Sequence, residues 1–286
     1  MAVAIPAETA RFLRAARGGP VDATPVWFMR QAGRYLPEYR AIRARLSLLE
    51  ICARPEVAAE VTLQPVQRLG VDAAILFADI LLPLVPLGLR LEFAQGEGPV
   101  IHNPIRDAAA VDALRDVAVP EALAPVFETI RLVRRGLPEG VPLIGFAGAP
   151  FTLASYAIEG GSSRHFVETK RLMYHDPATW HRLLARLGDL VADYLTEQVR
   201  AGAQALQLFD SWVGALDPED YRRAVLPHSR ALFQRLRSLG VPVVHFGVGT
   251  GSLLELLAEA GGDVIGVDWR TPLADAWRRL GSDARL

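Results

Sequence analysis

Short apolar runs recur along the chain, separated by stretches in which apolar positions fall every three or four residues. The runs are PVWFM (25–29), AAILF (73–77), PLIGFA (142–147), ALQLF (205–209), PVVHF (242–246) and DVIGVD (263–268). Their length and composition predict six buried strands. Segments such as PEVAAEVTLQPVQRLG (55–70) and PATWHRLLARLGDLVADYLTEQVRAGA (177–203) have the period of amphipathic helices. Strand and helix alternating in this way predict a parallel sheet covered by helices. LGLRLEFAQGEGPVI (87–101) instead alternates about the turn signal QGEG, which predicts a hairpin inserted after the second strand. No Ser/Gly-rich linker or low-complexity segment divides the chain. The expectation is a single α/β domain over residues 1–286, a (β/α)8 TIM-barrel type with six of its eight strands present.

With 286 residues, 51% of them hydrophobic, the chain can bury a substantial core. Its formal net charge of −1 leaves no basic field over the whole surface, which argues against nucleic acid or an anionic membrane as partner. No run approaches the roughly 18 apolar residues of a spanning helix, and the start lacks the pattern of a secretory leader. The cytoplasm is therefore the expected location. Cys52 is the only cysteine, so internal disulfides and zinc sites with several thiolates are excluded. Lys170 is the only lysine and sits at helical spacing among other charges, which reads as a solvated face rather than a Schiff-base site.

In a parallel barrel, the residues just past the C-terminal strand ends share one mouth. The first predicted strand is followed there by Arg30, Gln31 and Arg34, the second by Asp79, the third by GAPFTLASY with Tyr156, and the fourth by Asp210 and Ser211. Each has a plain structural reading, as a solvated turn, a helix cap or a core tyrosine. Together they make a mouth rich in guanidinium, carboxylate and hydroxyl groups, without a metal cluster or a thiol nucleophile.

The histidines add little. His175 and His181 are six apart and fall on different helix faces, His102 and His228 read as surface residues, and His165 lies in a polar stretch before a helix. His245, late in a predicted strand, reads first as a satisfied core histidine. One segment suggests other chemistry: VVHFGVGTGSLLELLAEAGGDVIGVD carries a Gly-x-Gly-x-Gly turn between strand and helix, with Asp268 ending the next strand. That arrangement suits a nucleotide loop. Only eighteen residues follow Asp268, too few to complete a dinucleotide-binding sheet.

The stretch PVWFMRQAGRYLPEYR (25–40) resembles the signature of the uroporphyrinogen decarboxylase family. The resemblance continues, in the family's order, through AAILFADILLPLVPLGLRLEF, LIGFAGAPFTLASYAIEGG, ALQLFDSWVGALDPEDY and VIGVDW, covering essentially the whole chain. It implies a barrel enzyme of haem biosynthesis. Such an enzyme removes the carboxyl groups of the four acetate side chains of uroporphyrinogen III, giving coproporphyrinogen III, without cofactor or metal. It also implies roles. Arg30, Gln31 and Arg34 would bind substrate carboxylates, with Arg30 the candidate proton donor. Asp79 would accept hydrogen bonds from the pyrrole N–H groups and offset the protonated ring, and Tyr156 and Ser211 would bond carboxylates near the reacting centre. Catalysis would rest on Asp79, Arg30 and Tyr156. A homodimer with facing mouths is implied as well.

Chemistry agrees with that implication. A decarboxylation must place the electron pair left by CO₂, and many enzymes borrow a cofactor to do so. A pyrrole protonated on carbon becomes its own electron sink, so the protein need only bind a polycarboxylate, stabilise a cation and manage protons. Paired arginines are suited to the first task, because guanidinium forks onto carboxylate. Two alternatives remain: a corrinoid-linked methyltransferase on the same barrel, and an inactive barrel that binds tetrapyrroles without turnover. The family continues past RRLGSDARL with a QGNLDP-like segment and a strand ending in NLGHG that supplies a histidine. The expectation is thus a C-terminally incomplete barrel with its first strand left as an open edge of Val, Trp and Phe.

Overall fold

The computed structural model describes residues 10–93 and 98–286. Its main sheet has five parallel strands: β1 (Ala74–Ile75), β4 (Leu143–Gly148), β5 (Ala205–Asp210), β6 (Val243–Gly247) and β7 (Val264–Gly266). They neighbour one another in chain order, β1-β4-β5-β6-β7, the walk of a barrel wall rather than the reversed order of a dinucleotide-binding sheet. Between the first two of them, β2 (Leu91–Phe93) and β3 (Pro99–Ile101) form the expected antiparallel hairpin, pairing Leu91 with Ile101 and Phe93 with Pro99. Most of its QGEG turn lies outside the described residues.

Five of the six predicted strands are thus present, and the sixth needs correction. Residues 25–28 form no ladder, and Met29 already lies in a turn. Their ties to the sheet run through Asp72, whose N–H donates to the carbonyl of Val26 at 2.8 Å and whose Oδ2 accepts from the N–H of Val26 at 2.7 Å. One residue engaged in this way anchors a segment without building a strand. Val26 and Phe28 are each 51% exposed, while Trp27 turns inward and meets Phe12 edge-on at 6.2 Å between ring centres. The apolar side chains this segment exposes are Val26, Phe28 and Met29.

Side-chain alternation divides each strand between two layers. The register pairs Phe146 with Gln207 and Gln207 with Val244, and likewise Phe209 with Phe246. This set faces the barrel interior, where Phe209 meets Phe146 at 5.5 Å and Phe246 at 6.0 Å. The opposite set, including Leu206, Leu208, Asp210, Val243 and His245, faces the helices. Helix 177–201 is the longest of these, opened by Pro177 and capped by Asp176, whose Oδ1 accepts from the N–H of Thr179 at 3.0 Å. It buries Trp180, Leu183, Leu184, Leu187 and Leu195 against the sheet and its neighbours.

Candidate active site

β1 stops after two residues, and the chain turns away through Phe77, Ala78 and Asp79. This leaves the N–H and C=O of Phe146 in β4 without a strand to pair with. The amide of Gln198, from helix 177–201, takes both of them at 2.8 Å. Gly145 makes room: a Cβ at that position would stand 2.4 Å from Oε1 of Gln198. The departing segment has its own ties, the N–H of Phe77 donating to the hydroxyl of Thr62 at 3.0 Å.

Asp79 ends up at the C-terminal face, partly buried. Its Oδ1 accepts from the N–H of Leu81 at 2.8 Å, forming a local turn just ahead of the short helix Leu82–Leu84, which has no side-chain cap of its own. Among the described residues the other oxygen has no hydrogen-bond partner. Loss of water pushes the carboxyl up to about 6, against the opposing pull of the Leu81 N–H and of the Arg30 guanidinium. Arg30 acts in the same direction on Tyr156, whose hydroxyl is raised mainly by burial. The three residues proposed for catalysis therefore lie within one another's electrostatic reach.

Tyr156 comes from helix 150–159, the helix that follows β4. Its ring packs edge-on against Trp212 at 5.6 Å, and Trp212 packs against Phe166 at 5.5 Å. Ser211 immediately precedes Trp212, just past the end of β5, at the C-terminal face of the sheet. Phe166 holds a left-handed backbone (φ 53°), rare for a side chain of its size, at the start of helix 167–175. Neither aromatic was singled out from sequence. Trp212 could have been, because it directly follows a predicted strand; the backbone of Phe166 leaves no such signal.

The stretch that holds the arginines is a compact loop. The N–H of Leu36 donates to the carbonyl of Gly33 at 2.9 Å, Arg40 donates to the carbonyl of Arg34 at 2.9 Å, and the hydroxyl of Tyr35 donates to the carbonyl of Gln31. A Cβ on Gly33 would stand 2.7 Å from the Tyr35 ring, so glycine is needed for this packing. Arg30 and Arg34 are exposed, and the field of Arg34 reaches Tyr39. Gln31 is turned inward and buried. Its Oε1 accepts from the N–H of Phe28 at 3.0 Å, while its Nε2 has no partner among the described residues. That geometry makes it a brace of the loop.

Four sequence readings need correction or gain content. Asp210 does not face the mouth; it lies in the helix-facing set, fully buried, accepting from the hydroxyl of Thr152 at 2.9 Å. His228 is not a surface residue. It is partly buried, with its Nε2 2.8 Å from Nδ1 of His181 and its ring stacked on that histidine. The glycine loop after β6 is already occupied, since the N–H of Gly249 donates to Oδ2 of Asp268 at 2.8 Å. Asp268 is held in turn by Arg270 at 2.7 Å. This loop ties β6 to β7 instead of presenting its amides to a phosphate. Cys52 is buried, and burial pushes its thiol up to about 12.

Comparison with known proteins decides the family. The family model described as uroporphyrinogen decarboxylase matches residues 7–286. The chain belongs to the uroporphyrinogen decarboxylase family. It is 59% identical over 273 residues to the uroporphyrinogen decarboxylase of Sorangium cellulosum, covering 96% of this chain and 78% of that one. It is 60% identical over 270 residues to a uroporphyrinogen decarboxylase of Thermus thermophilus, covering 94% and 79% respectively. Among solved structures, a methyltransferase from Methanosarcina mazei superposes with a TM-score of 0.81 at 19% identity, over 96% of this chain and 80% of that one. At that identity the likeness shows a shared fold, and it confirms the barrel class for this family member. Among the described residues, no helix is long and apolar enough to cross a membrane.

Proposed function

We propose that the chain is a single barrel domain that decarboxylates the acetate side chains of uroporphyrinogen III, in the cytoplasm, with the mouth described above as its active site. The observation that carries this reading is the Asp79 carboxylate. It is partly desolvated, has one oxygen committed to the backbone and the other open, and lies within the electrostatic reach of a guanidinium and a phenol at the C-terminal face.

The reaction each acetate undergoes is R–CH₂–COO⁻ + H⁺ → R–CH₃ + CO₂. A proton adds to the ring α-carbon next to the one that bears the side chain, making a cation whose charge is shared by the bearing carbon. The C–C bond to the carboxylate then breaks into that cation, CO₂ leaves, and the exocyclic carbon takes a proton as the ring carbon loses one. Asp79 suits the charged stage, because a carboxylate in a water-poor site stabilises a transient cation and accepts from N–H donors. Arg30, with Arg34 beyond it, suits substrate carboxylates, and its field reaches Asp79, which makes it the candidate acid. Tyr156 and Ser211, from the segments that follow β4 and β5, would supply hydroxyls to substrate carboxylates, and Gln31 braces the loop that bears the arginines. Trp212, backed by the buried Phe166, gives the site an apolar surface for a macrocycle.

Anaerobic incubation with uroporphyrinogen III, followed by chromatographic counting of carboxyl groups in the products, tests the reading. Stepwise loss of four carboxyl groups is the expected result. Binding without any loss would make the barrel a tetrapyrrole carrier. We also propose a homodimer, a reading supported by the family resemblance and by the exposed Val26 and Phe28 beside the loop. Light scattering at micromolar concentration should give twice the chain mass, and a strictly monomeric mass would refute it.

A further inference from the structure

Behind β5, on the face away from the barrel interior, the fully buried carboxylate of Asp210 has one oxygen hydrogen-bonded and the other without a hydrogen-bond partner among the described residues. Oδ1 accepts from the hydroxyl of Thr152 at 2.9 Å, and Oδ2 faces Nε2 of His245 across 4.0 Å. His245 is equally buried, its Nδ1 3.4 Å from the carbonyl of Leu257 and its ring against Phe233. A buried carboxylate is costly where an aliphatic side chain would pack, so its partners indicate what it does. The hydroxyl of Thr152 has one hydrogen, and Asp210 takes it. Its lone pairs are thereby aimed elsewhere, and one accepts from the backbone N–H of Trp212 at 3.2 Å.

Asp210 is the last residue of β5, and Ser211 and Trp212 are the first two outside it. The hydroxyl of Thr152 therefore joins the side chain of residue 210 to the amide of residue 212. It sets the direction in which the chain leaves the strand, and with it the wall where Trp212 meets Tyr156 and Phe166. We infer that Asp210 and Thr152 are positioning residues, which act from behind the sheet to fix Ser211 and Trp212 at the substrate mouth. The inference rests on the mouth reading given above.

Thr152→Val removes the hydroxyl at nearly constant shape, and Thr152→Ser restores it. The Val variant should lose at least about tenfold in kcat, with KM within about threefold of the parent, because a displaced wall misorients bound substrate. The Ser variant should keep parental values. A readout independent of turnover is acrylamide quenching of Trp212, obtained by difference from the same proteins carrying Trp212→Phe. Quenching should rise in Thr152→Val and stay parental in Thr152→Ser. If Thr152→Val does not accumulate folded, Asp210→Asn takes its place. It keeps an acceptor for the hydroxyl without the charge, and should lower kcat about threefold or more and raise quenching. Parental kcat and quenching accompanied only by a lower unfolding temperature would overturn the inference, leaving a purely structural hydrogen bond. If the parent fails to decarboxylate uroporphyrinogen, the mouth reading fails, and the quenching comparison still decides whether Trp212 is held from behind.

Discussion

The side-chain amide of Gln198 donates to the carbonyl of Phe146 and accepts from its N–H, each at 2.8 Å, replacing the strand that β1 does not continue. Both backbone groups are buried, and each would otherwise be left unpaired. The short β1 is tolerable because a helix supplies the missing ladder bonds, and the freed chain delivers Asp79 to the mouth.

Gln198→Leu keeps the volume and removes both bonds. It should lower stability by about 2–4 kcal/mol, the combined cost of two unsatisfied buried backbone groups. Gly145→Ala should act on the same contact by displacing the amide, and the double variant should fall short of the sum. Urea unfolding followed by circular dichroism measures all three. A loss under about 0.5 kcal/mol for Gln198→Leu would mean the backbone finds other partners.

Asp79 has opposite effects on stability and activity. Its carboxyl titrates near 6 in the folded protein and near the ordinary 3.8 when unfolded. Below about 4 it is neutral in both states. Between about 4 and 6 the unfolded chain ionises first, so stability falls as pH rises through that window and then levels off. Asp79→Asn should remove this fall and be more stable than the parent at pH 7. Turnover should behave in the opposite way. In the parent, kcat/KM should rise with pH through about 6 as the carboxylate forms. Asp79→Asn should lose roughly 10²-fold or more in kcat, or about 3 kcal/mol of barrier. Thermal unfolding and rate profiles over pH 4–8 provide both readouts, and near-normal turnover by Asp79→Asn would refute its role.

Much of this was legible in the sequence, since five parallel strands fall within a residue or two of their apolar runs and the hairpin sits where QGEG marks it. What failed depended on partners far along the chain. PVWFM has strand composition, but a ladder requires a neighbouring strand, and among the described residues its backbone bonds to the sheet run through Asp72 alone. His228 looked solvated because His181, on another helix, was invisible from its local sequence. Asp210 is a different kind of miss. Strict alternation from Gln207 and Phe209 already placed it on the helix side, and proximity to a strand end was allowed to outweigh that period.

Arg30 and Arg34 differ in their surroundings, and substitutions should show it. Lysine keeps the charge at either position but cannot present two parallel N–H donors to one carboxylate. Arg30 is coupled to Asp79 and Tyr156, whereas the field of Arg34 reaches Tyr39. Arg30→Lys should therefore lower kcat, by about tenfold or more, and Arg34→Lys should chiefly raise KM by several-fold. Steady-state kinetics on the two variants separates these outcomes. Full activity in both would make the arginines a solvated turn.

The stacked pair of His181 and His228 should make the fold acid-sensitive. Burial, with His181 adding to it, pushes the imidazole of His228 down to about 4 from an ordinary value of 6.5. Above 6.5 the ring is neutral in both folded and unfolded chains and contributes nothing to pH dependence. As pH falls below 6.5 the unfolded chain takes up a proton that the folded one refuses, so stability declines until about pH 4. After allowance for the ring's partial exposure, the loss is on the order of 2 kcal/mol. His228→Gln keeps a hydrogen-bonding side chain beside His181 but cannot titrate, so its unfolding temperature should fall less than the parent's between pH 6.5 and 4.5. Equal slopes for parent and variant would show that the pair accepts a proton in place, with His181 and His228 sharing it across their 2.8 Å contact.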